Sequence, residues 1–204
     1  MKQLKIVNNA KVVLGFTLLC ILVLVLHYVT GGYTDRLLFS VYRSPLKDPF
    51  TYVRFFGHVL GHSGIEHFMG NIMMFVVIGP MLEEKYGSKN IFAIIVITAF
   101  TTGLVNFLLF PHQMLLGASG VVFAFILLAS FTSYEKNTIP LSFVLVAVLY
   151  IGNELYKAFA VNDNVSNLTH IVGGIIGAFF GYLLNKKKDD KDEAQGSVPE
   201  AKAE

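Results

Sequence analysis

Residues 168–185 read LTHIVGGIIGAFFGYLLN, a run of eighteen residues without Asp, Glu, Lys or Arg. A helix of roughly 20 apolar residues is long enough to cross the ~30 Å hydrocarbon core of a bilayer. The run therefore predicts a transmembrane helix. His170 lies inside it, and an ionisable group placed in lipid costs enough free energy to be a functional hypothesis by default.

Other apolar runs of the same character precede this one along the chain. The chain is 54% hydrophobic and 15% charged, with a mean hydropathy of +0.60, whereas soluble domains carry about a quarter charged residues. No alternating pattern indicates a membrane barrel. We therefore predict an all-α membrane bundle of six transmembrane helices in one domain, residues 12–185, with spans at 12–30, 65–82, 90–110, 118–133, 138–156 and 168–185.

The basic residues indicate how these spans are oriented. An even number of spans places both termini on one side, and cytoplasmic loops carry an excess of Lys and Arg. We predict a cytoplasmic amino terminus at 1–11 and a charged, disordered cytoplasmic tail at 186–204. Of the sixteen basic residues, those left outside are Arg36, Arg43, Lys47, Arg54 and Lys157. A net charge of +2 with such scattered basic residues also excludes nucleic-acid binding through an electrostatic footprint.

Four polar residues lie inside the predicted spans. His67 and Asn71 belong to the second span, Ser119 to the fourth and His170 to the sixth. These three spans run in the same direction, and each polar residue falls within about two turns of its span's amino-terminal end. All four are therefore expected in one leaflet, the outer one in the predicted orientation.

The sequence around these residues refines their placement. Ser63 and Glu66 have the S-x-x-E spacing of a capping box, which predicts that Ser63 caps the second span. His67 and Asn71 are four residues apart and share a helix face. Ser119 follows Gly117 at a predicted helix start, where unpaired amides and the positive end of the dipole favour an anion.

Small residues predict that the fourth and sixth spans pack closely. Gly173, Gly177 and Gly181 recur every four residues in the sixth span, and Gly120 and Ala124 do so in the fourth. Such small-xxx-small surfaces let helix backbones approach closely. We expect this contact to bring His170 within reach of Ser119.

As a set, these residues resemble the rhomboid intramembrane serine proteases, in particular the six-span bacterial type. The resemblance covers roughly residues 50–182 and is carried by GASG at 117–120, H-x-x-x-N at 67–71, and H-x-x-G-x-x-x-G from His170. It implies that Ser119 is a nucleophile, that His170 is its general base, and that His67, Asn71 and the Ser119 amide form an oxyanion hole. It also implies structural roles for Gly117, Gly120, Gly173 and Gly177.

Two positions depart from the family pattern. The family's first outer loop often carries a Trp-Arg pair, but Val53 precedes Arg54 here and the chain has no Trp. Many members have a Tyr four residues after the nucleophile, where this chain has Phe123. We expect these changes to affect loop anchoring, rate or substrate preference, and not the identity of the reacting groups.

The resemblance implies an intramembrane serine endopeptidase that acts on transmembrane segments of other proteins, in a bacterial plasma membrane, with its site opening outward. No cofactor or metal is expected. By analogy, the loop at 157–167 and the fifth span would form the substrate gate. Two alternatives stay open: a zinc protease using the H-x3-H-x4-H series His58, His62 and His67, and a non-catalytic membrane factor that recognises client helices.

Overall fold

The computed structural model describes residues 9–132, 138–160 and 167–196. This part of the chain is helical apart from turns, loops and an isolated antiparallel bridge between Val41 and Leu115. A π-helical turn (Asp35–Phe39) and a 3-10 turn (His58–Leu60) accompany the α-helices, which are α1 (Lys11–Thr30), α2 (Pro49–Gly57), α3 (Ile65–Tyr86), α4 (Ser88–Leu109), α5 (Ser119–Ser130), α6 (Leu141–Ala160) and α7 (Asn167–Gly196).

Four of the described helices are long and apolar enough to cross a bilayer. They are α1, α3, α4 and the Asn167–Lys187 part of α7, and they match the predicted first, second, third and sixth spans to within a few residues. Their length and composition support an integral, multi-pass membrane protein.

The predicted fourth span, 118–133, is a shorter helix than expected. α5 contains 12 residues, which extend about 18 Å at 1.5 Å per residue. Gly117, with a φ of +127°, lies outside helical values and limits where the helix can start, and residues 131–132 at the other end form a turn. The predicted fifth span, 138–156, corresponds to α6.

The last helix also ends later than predicted. α7 continues to Gly196, past residue 186 where the disordered tail was expected to begin. Lys, Glu, Gln and Ala are strong helix formers, so a polar sequence of this composition can prolong an anchored helix. Residues 197–204 lie outside the described part of the chain.

The apolar core surrounds α5, which packs against α3, α4, α6 and α7. Phe125 and Phe75 are fully buried and stack with ring centroids 4.9 Å apart. Phe16 of α1 lies against Phe75 at 4.8 Å. The short helix is thus held on all sides by longer ones.

A carboxylate joins the starts of α1 and α4. Glu83, in the last turns of α3 and 4% exposed, accepts hydrogen bonds from the Val12 amide at 3.0 Å and the Val13 amide at 2.9 Å. The Ser88 hydroxyl donates to the same carboxylate at 2.6 Å. Because helix amino termini leave amides unpaired and favour negative charge, Glu83 acts as a cap for α1 supplied from another helix.

Arg54 organises the segment between α1 and α3. Its guanidinium is buried, donates to the Leu37 carbonyl at 3.1 Å and to the Asp48 carboxylate at 2.5 Å, and lies over the Tyr42 ring at 4.7 Å. It also donates to the hydroxyls of Ser44 and Thr51.

Asp48 has a second contact besides Arg54. Its carboxylate accepts from the Phe50 amide at 2.9 Å and so caps α2. The hydrogen bond from Arg54, followed by that from Phe50, lowers the pKa of the Asp48 carboxyl below its ordinary value. Arg54 therefore anchors this segment although Val53, exposed beside it, stands where the family resemblance would lead one to expect a Trp.

Candidate active site

Ser119 and His170 face each other across the α5–α7 contact. Ser119 is the first residue of α5, and His170 lies in the first turn of α7. His170 Nε2 is 2.9 Å from Ser119 Oγ, a hydrogen-bond distance. His170 is only 8% exposed. The structure thus brings together the two residues for which the sequence predicted proximity.

The close approach depends on glycine. A β-carbon on Gly173 would overlap the Gly120 carbonyl oxygen, and one on Gly177 would overlap the Ala124 carbonyl oxygen. The predicted small-residue packing is therefore confirmed, since these two backbones touch without intervening side chains.

An aromatic ring covers one face of the His170 imidazole. The Phe123 ring stacks on it with centroids 4.5 Å apart and planes inclined by 12°. This contact restricts the orientation of the imidazole plane. Stacking requires only the aromatic face of Phe123 and no hydroxyl group. Phe123 can therefore orient His170 without the hydroxyl that a Tyr would carry at this position.

Two side-chain donors bound the space beside Gly117. A β-carbon at that residue would lie 2.7 Å from His67 Nε2 and 3.7 Å from Asn71 Nδ2. Asn71 Nδ2 uses one hydrogen for the His67 carbonyl at 3.1 Å, and an amide NH₂ has two. The Ser119 amide belongs to the first turn of α5, where amides have no acceptor within the helix. The His67 and Asn71 side chains and the Ser119 amide, all possible hydrogen-bond donors, thus lie around Gly117.

The predicted capping box at Ser63 is wrong. α3 begins at Ile65 after Gly64, with no side-chain cap, and the Ile65 amide instead donates to the Tyr28 hydroxyl at 3.1 Å. Ser63 Oγ turns to His67 Nδ1 at 3.2 Å. A hydroxyl contributed by α1 thus accepts from one amide of the first turn of α3.

The loop before α5 is attached to the segment between α1 and α3. The Gly117 amide donates to the His58 carbonyl at 2.9 Å, and Leu115 and Val41 exchange two backbone hydrogen bonds of 2.9 Å. The position of Gly117 therefore depends on this segment, residues 31–64, which we call the outer segment because the predicted orientation places it outside.

Comparison with known proteins identifies the family. A family model described as Rhomboid domain matches residues 49–187. The chain belongs to the rhomboid family. Among similar proteins, the rhomboid protease GlpG of Haemophilus influenzae is 24% identical over 192 residues, which cover 91% of this chain and 97% of that protein.

Other rhomboid relatives are longer than this chain. Rhomboid-related protein 1 of Caenorhabditis elegans is 29% identical over 140 residues, covering 64% of this chain and 39% of that protein. Rhomboid protease GluP of Bacillus subtilis is 29% identical over 173 residues, covering 81% of this chain and 33% of that protein. The chain thus spans well under two thirds of these two relatives.

The outer-segment histidines of this rhomboid are buried without making a metal site. Burial lowers the pKa of His58 to about 3, and burial together with the neighbouring His67 lowers that of His62 to about 4. The His58 ring lies 3.0 Å from the Ala99 carbonyl. Among the described residues, no group of three or more His, Cys, Asp or Glu side chains is placed to hold a metal ion. In this part of the chain, His58, His62 and His67 are thus not arranged as the zinc site that the metalloprotease alternative requires.

The predicted gate falls largely beyond the described structure. Residues 161–166 of the 157–167 loop are outside it, as are the side chains at 153–160 of α6. The gate stays a prediction from the family resemblance.

Proposed function

We propose that this rhomboid is an intramembrane serine endopeptidase in which Ser119 is the nucleophile and His170 the general base. The observation that supports this most directly is the 2.9 Å contact between Ser119 Oγ and His170 Nε2, within a bundle of apolar helices. A hydroxyl at this distance from an unprotonated imidazole nitrogen can transfer its proton as it attacks a carbonyl carbon.

The neighbouring donors would stabilise the tetrahedral intermediate. We assign its oxyanion to the space beside Gly117, where His67 Nε2, Asn71 Nδ2 and the Ser119 amide can donate. His170 would then protonate the leaving amine, and water activated by the same imidazole would release the acyl-enzyme. The dyad needs no third acidic residue and no metal for this sequence of proton transfers.

The substrates that fit this site are transmembrane segments of other proteins. A helix hides its peptide bonds within its own hydrogen bonds, so cleavable segments should contain Gly, Pro or small residues that weaken the helix near the cut. We further propose six spans, with α5 and α6 completing the bundle, both termini in the cytoplasm and the dyad opening to the outer side.

The decisive experiment compares purified wild-type protein, Ser119→Ala, His170→Ala and Ser130→Ala in lipid with a model transmembrane substrate. Ser130 lies in the same helix, and its hydroxyl donates to the Leu127 carbonyl at 2.6 Å. We expect Ser119→Ala and His170→Ala to lose activity by about 10⁴-fold or more, and Ser130→Ala to retain it.

Two results would contradict the proposal. Cleavage by Ser119→Ala at the wild-type rate would exclude Ser119 as the nucleophile. Absence of cleavage and of serine labelling by a fluorophosphonate in the wild type would favour the non-catalytic alternative, a membrane factor that recognises client helices. Removal of the His67 or Asn71 donor is expected to lower kcat by about 10²- to 10³-fold.

A further inference from the structure

Ser63 makes an unusual pair of contacts just before α3. Its hydroxyl oxygen is 3.2 Å from His67 Nδ1, and its backbone amide donates a long hydrogen bond of 3.5 Å to the same nitrogen. A backbone N–H can only donate, so Nδ1 must offer its lone pair. A neutral imidazole with an accepting Nδ1 carries its hydrogen on Nε2.

The Nε2 edge of His67 packs against Gly117, which adjoins the proposed oxyanion site. A β-carbon on Gly117 would lie 2.7 Å from Nε2 and 2.8 Å from Cε1 of His67, so this edge of the ring faces the space beside Gly117. In the opposite tautomer, the lone pair of Nε2 would face a developing negative charge and repel it.

The other histidine beside His67 does not supply this contact. The His62 ring lies edge-on at 5.2 Å between centroids, and its own Nδ1 is 3.1 Å from the Leu60 carbonyl. Within the described chain, both contacts to His67 Nδ1 come from Ser63.

We propose that Ser63 is a positioning residue that fixes the tautomer of His67, so that Nε2 can donate to the oxyanion. The catalytic purpose of this arrangement rests on the proposed function. The tautomer itself can be measured without turnover, which separates failure of the inference from failure of the proposed function.

The measurement is ¹⁵N NMR of the histidines in the full chain, in detergent at about pH 9, where an imidazole of ordinary pKa is neutral. His67→Gln identifies the His67 signals by their loss. Wild type and Ser63→Thr, which keeps the hydroxyl donor, are expected to carry hydrogen on Nε2. In Ser63→Asp the carboxylate can only accept, so the hydrogen should move toward Nδ1.

A wild-type His67 with its hydrogen on Nδ1 would overturn the inference, even if every variant failed to fold. A folded Ser63→Asp with an unchanged tautomer would also overturn it. These outcomes do not depend on whether the protein cleaves a substrate.

Activity provides the second readout. Ser63→Ala should lower kcat by roughly 3- to 10-fold, the factor that one net hydrogen bond contributes, because the backbone amide still reaches Nδ1. KM should change little, and Ser63→Thr should restore the rate. Equal kcat values for wild type and Ser63→Ala would refute the catalytic purpose of the contact.

Discussion

The α5–α7 interface and the segment between α1 and α3 are stabilised in different ways. At the interface, Gly173 and Gly177 place one helix backbone directly against another. In the outer segment, Arg54 gathers carbonyl, carboxylate and hydroxyl groups around a buried guanidinium. The interface therefore depends on the absence of side chains at these glycines, whereas the outer segment depends on the Arg54 side chain.

The two regions meet at the candidate active site. Ser119 and His170 are positioned by the interface, whereas Gly117, which adjoins the proposed oxyanion space, is hydrogen-bonded to His58 of the outer segment. Ser119 and His170 are thus held mainly by the interface, and Gly117 mainly by the outer segment. This separation predicts different consequences for mutations in the two regions.

The largest effect is expected from Gly177→Ala. Its β-carbon would overlap the Ala124 carbonyl, so the helices must separate, at a cost of about 3 kcal/mol, the upper end for overpacking. Gly174→Ala is the matched control, because a β-carbon there meets Leu127 at an ordinary 3.5 Å. Thermal unfolding in detergent measures both, and equal Tm values would contradict close backbone packing.

Arg54→Ala should destabilise the protein by about 2 kcal/mol, since it removes hydrogen bonds from a charged donor and leaves the Leu37 carbonyl without that donor. Arg36→Ala, at an exposed position of the same segment, is the control. If the outer segment is an independent support, Arg54→Ala should retain fluorophosphonate labelling of Ser119. Loss of labelling in a folded variant would show that the two regions are not separable.

Acid should weaken the outer segment through His58. Its folded pKa is about 3, below the ordinary value of 6.5, so the unfolded chain binds a proton first and stability falls as pH drops from 6.5 toward 3. The loss should reach about 2 kcal/mol at pH 5. His58→Gln should remove that part of the pH dependence. Identical curves of Tm against pH for wild type and His58→Gln would contradict this prediction.

Phe123→Leu should lower the cleavage rate by about 3- to 10-fold, because an aromatic contact contributes about 0.5–1.5 kcal/mol and Leu cannot stack on His170. Phe123→Tyr preserves the ring and is expected to stay within about 2-fold of wild type. A large gain from Tyr would mean that the missing hydroxyl, and not the ring face, limits the rate.

The smallest effect is expected from Asp48→Asn, which keeps an oxygen for the α2 cap but loses the charge facing Arg54. The folded pKa of Asp48 is lowered below 3.8, so its contribution is present at neutral pH and is lost as pH falls through that range. The Tm difference from wild type should therefore shrink as pH approaches 3. A Tm difference that stays constant with pH would instead mean that the substitution acts through the α2 cap.

Sequence periodicity was sufficient for the features that repeat along a helix. The apolar runs predicted α1, α3, α4 and the spanning part of α7, and the four-residue spacing from Gly173 predicted the contact with α5. Such patterns record which face of an element is buried, and they do not depend on knowing the partner.

Features built from distant residues were not predictable in this way. The Ile65 amide is bonded by Tyr28, and Glu83 caps α1 from α3. Neither contact has a local spacing, since each joins residues far apart in the chain. The capping-box prediction failed because it considered only local partners: Tyr28 reaches the first turn of α3 from α1, and the Ser63 hydroxyl lies against His67.

The Glu83 cap limits where this chain can be truncated. The matched domain begins at residue 49, yet α1 lies before it and supplies the amides that Glu83 accepts. A fragment starting at 49 would leave this buried carboxylate with fewer donors and would uncover Phe75, which α1 shields through Phe16. We therefore expect a stable fragment to include α1, which the family-model match leaves out.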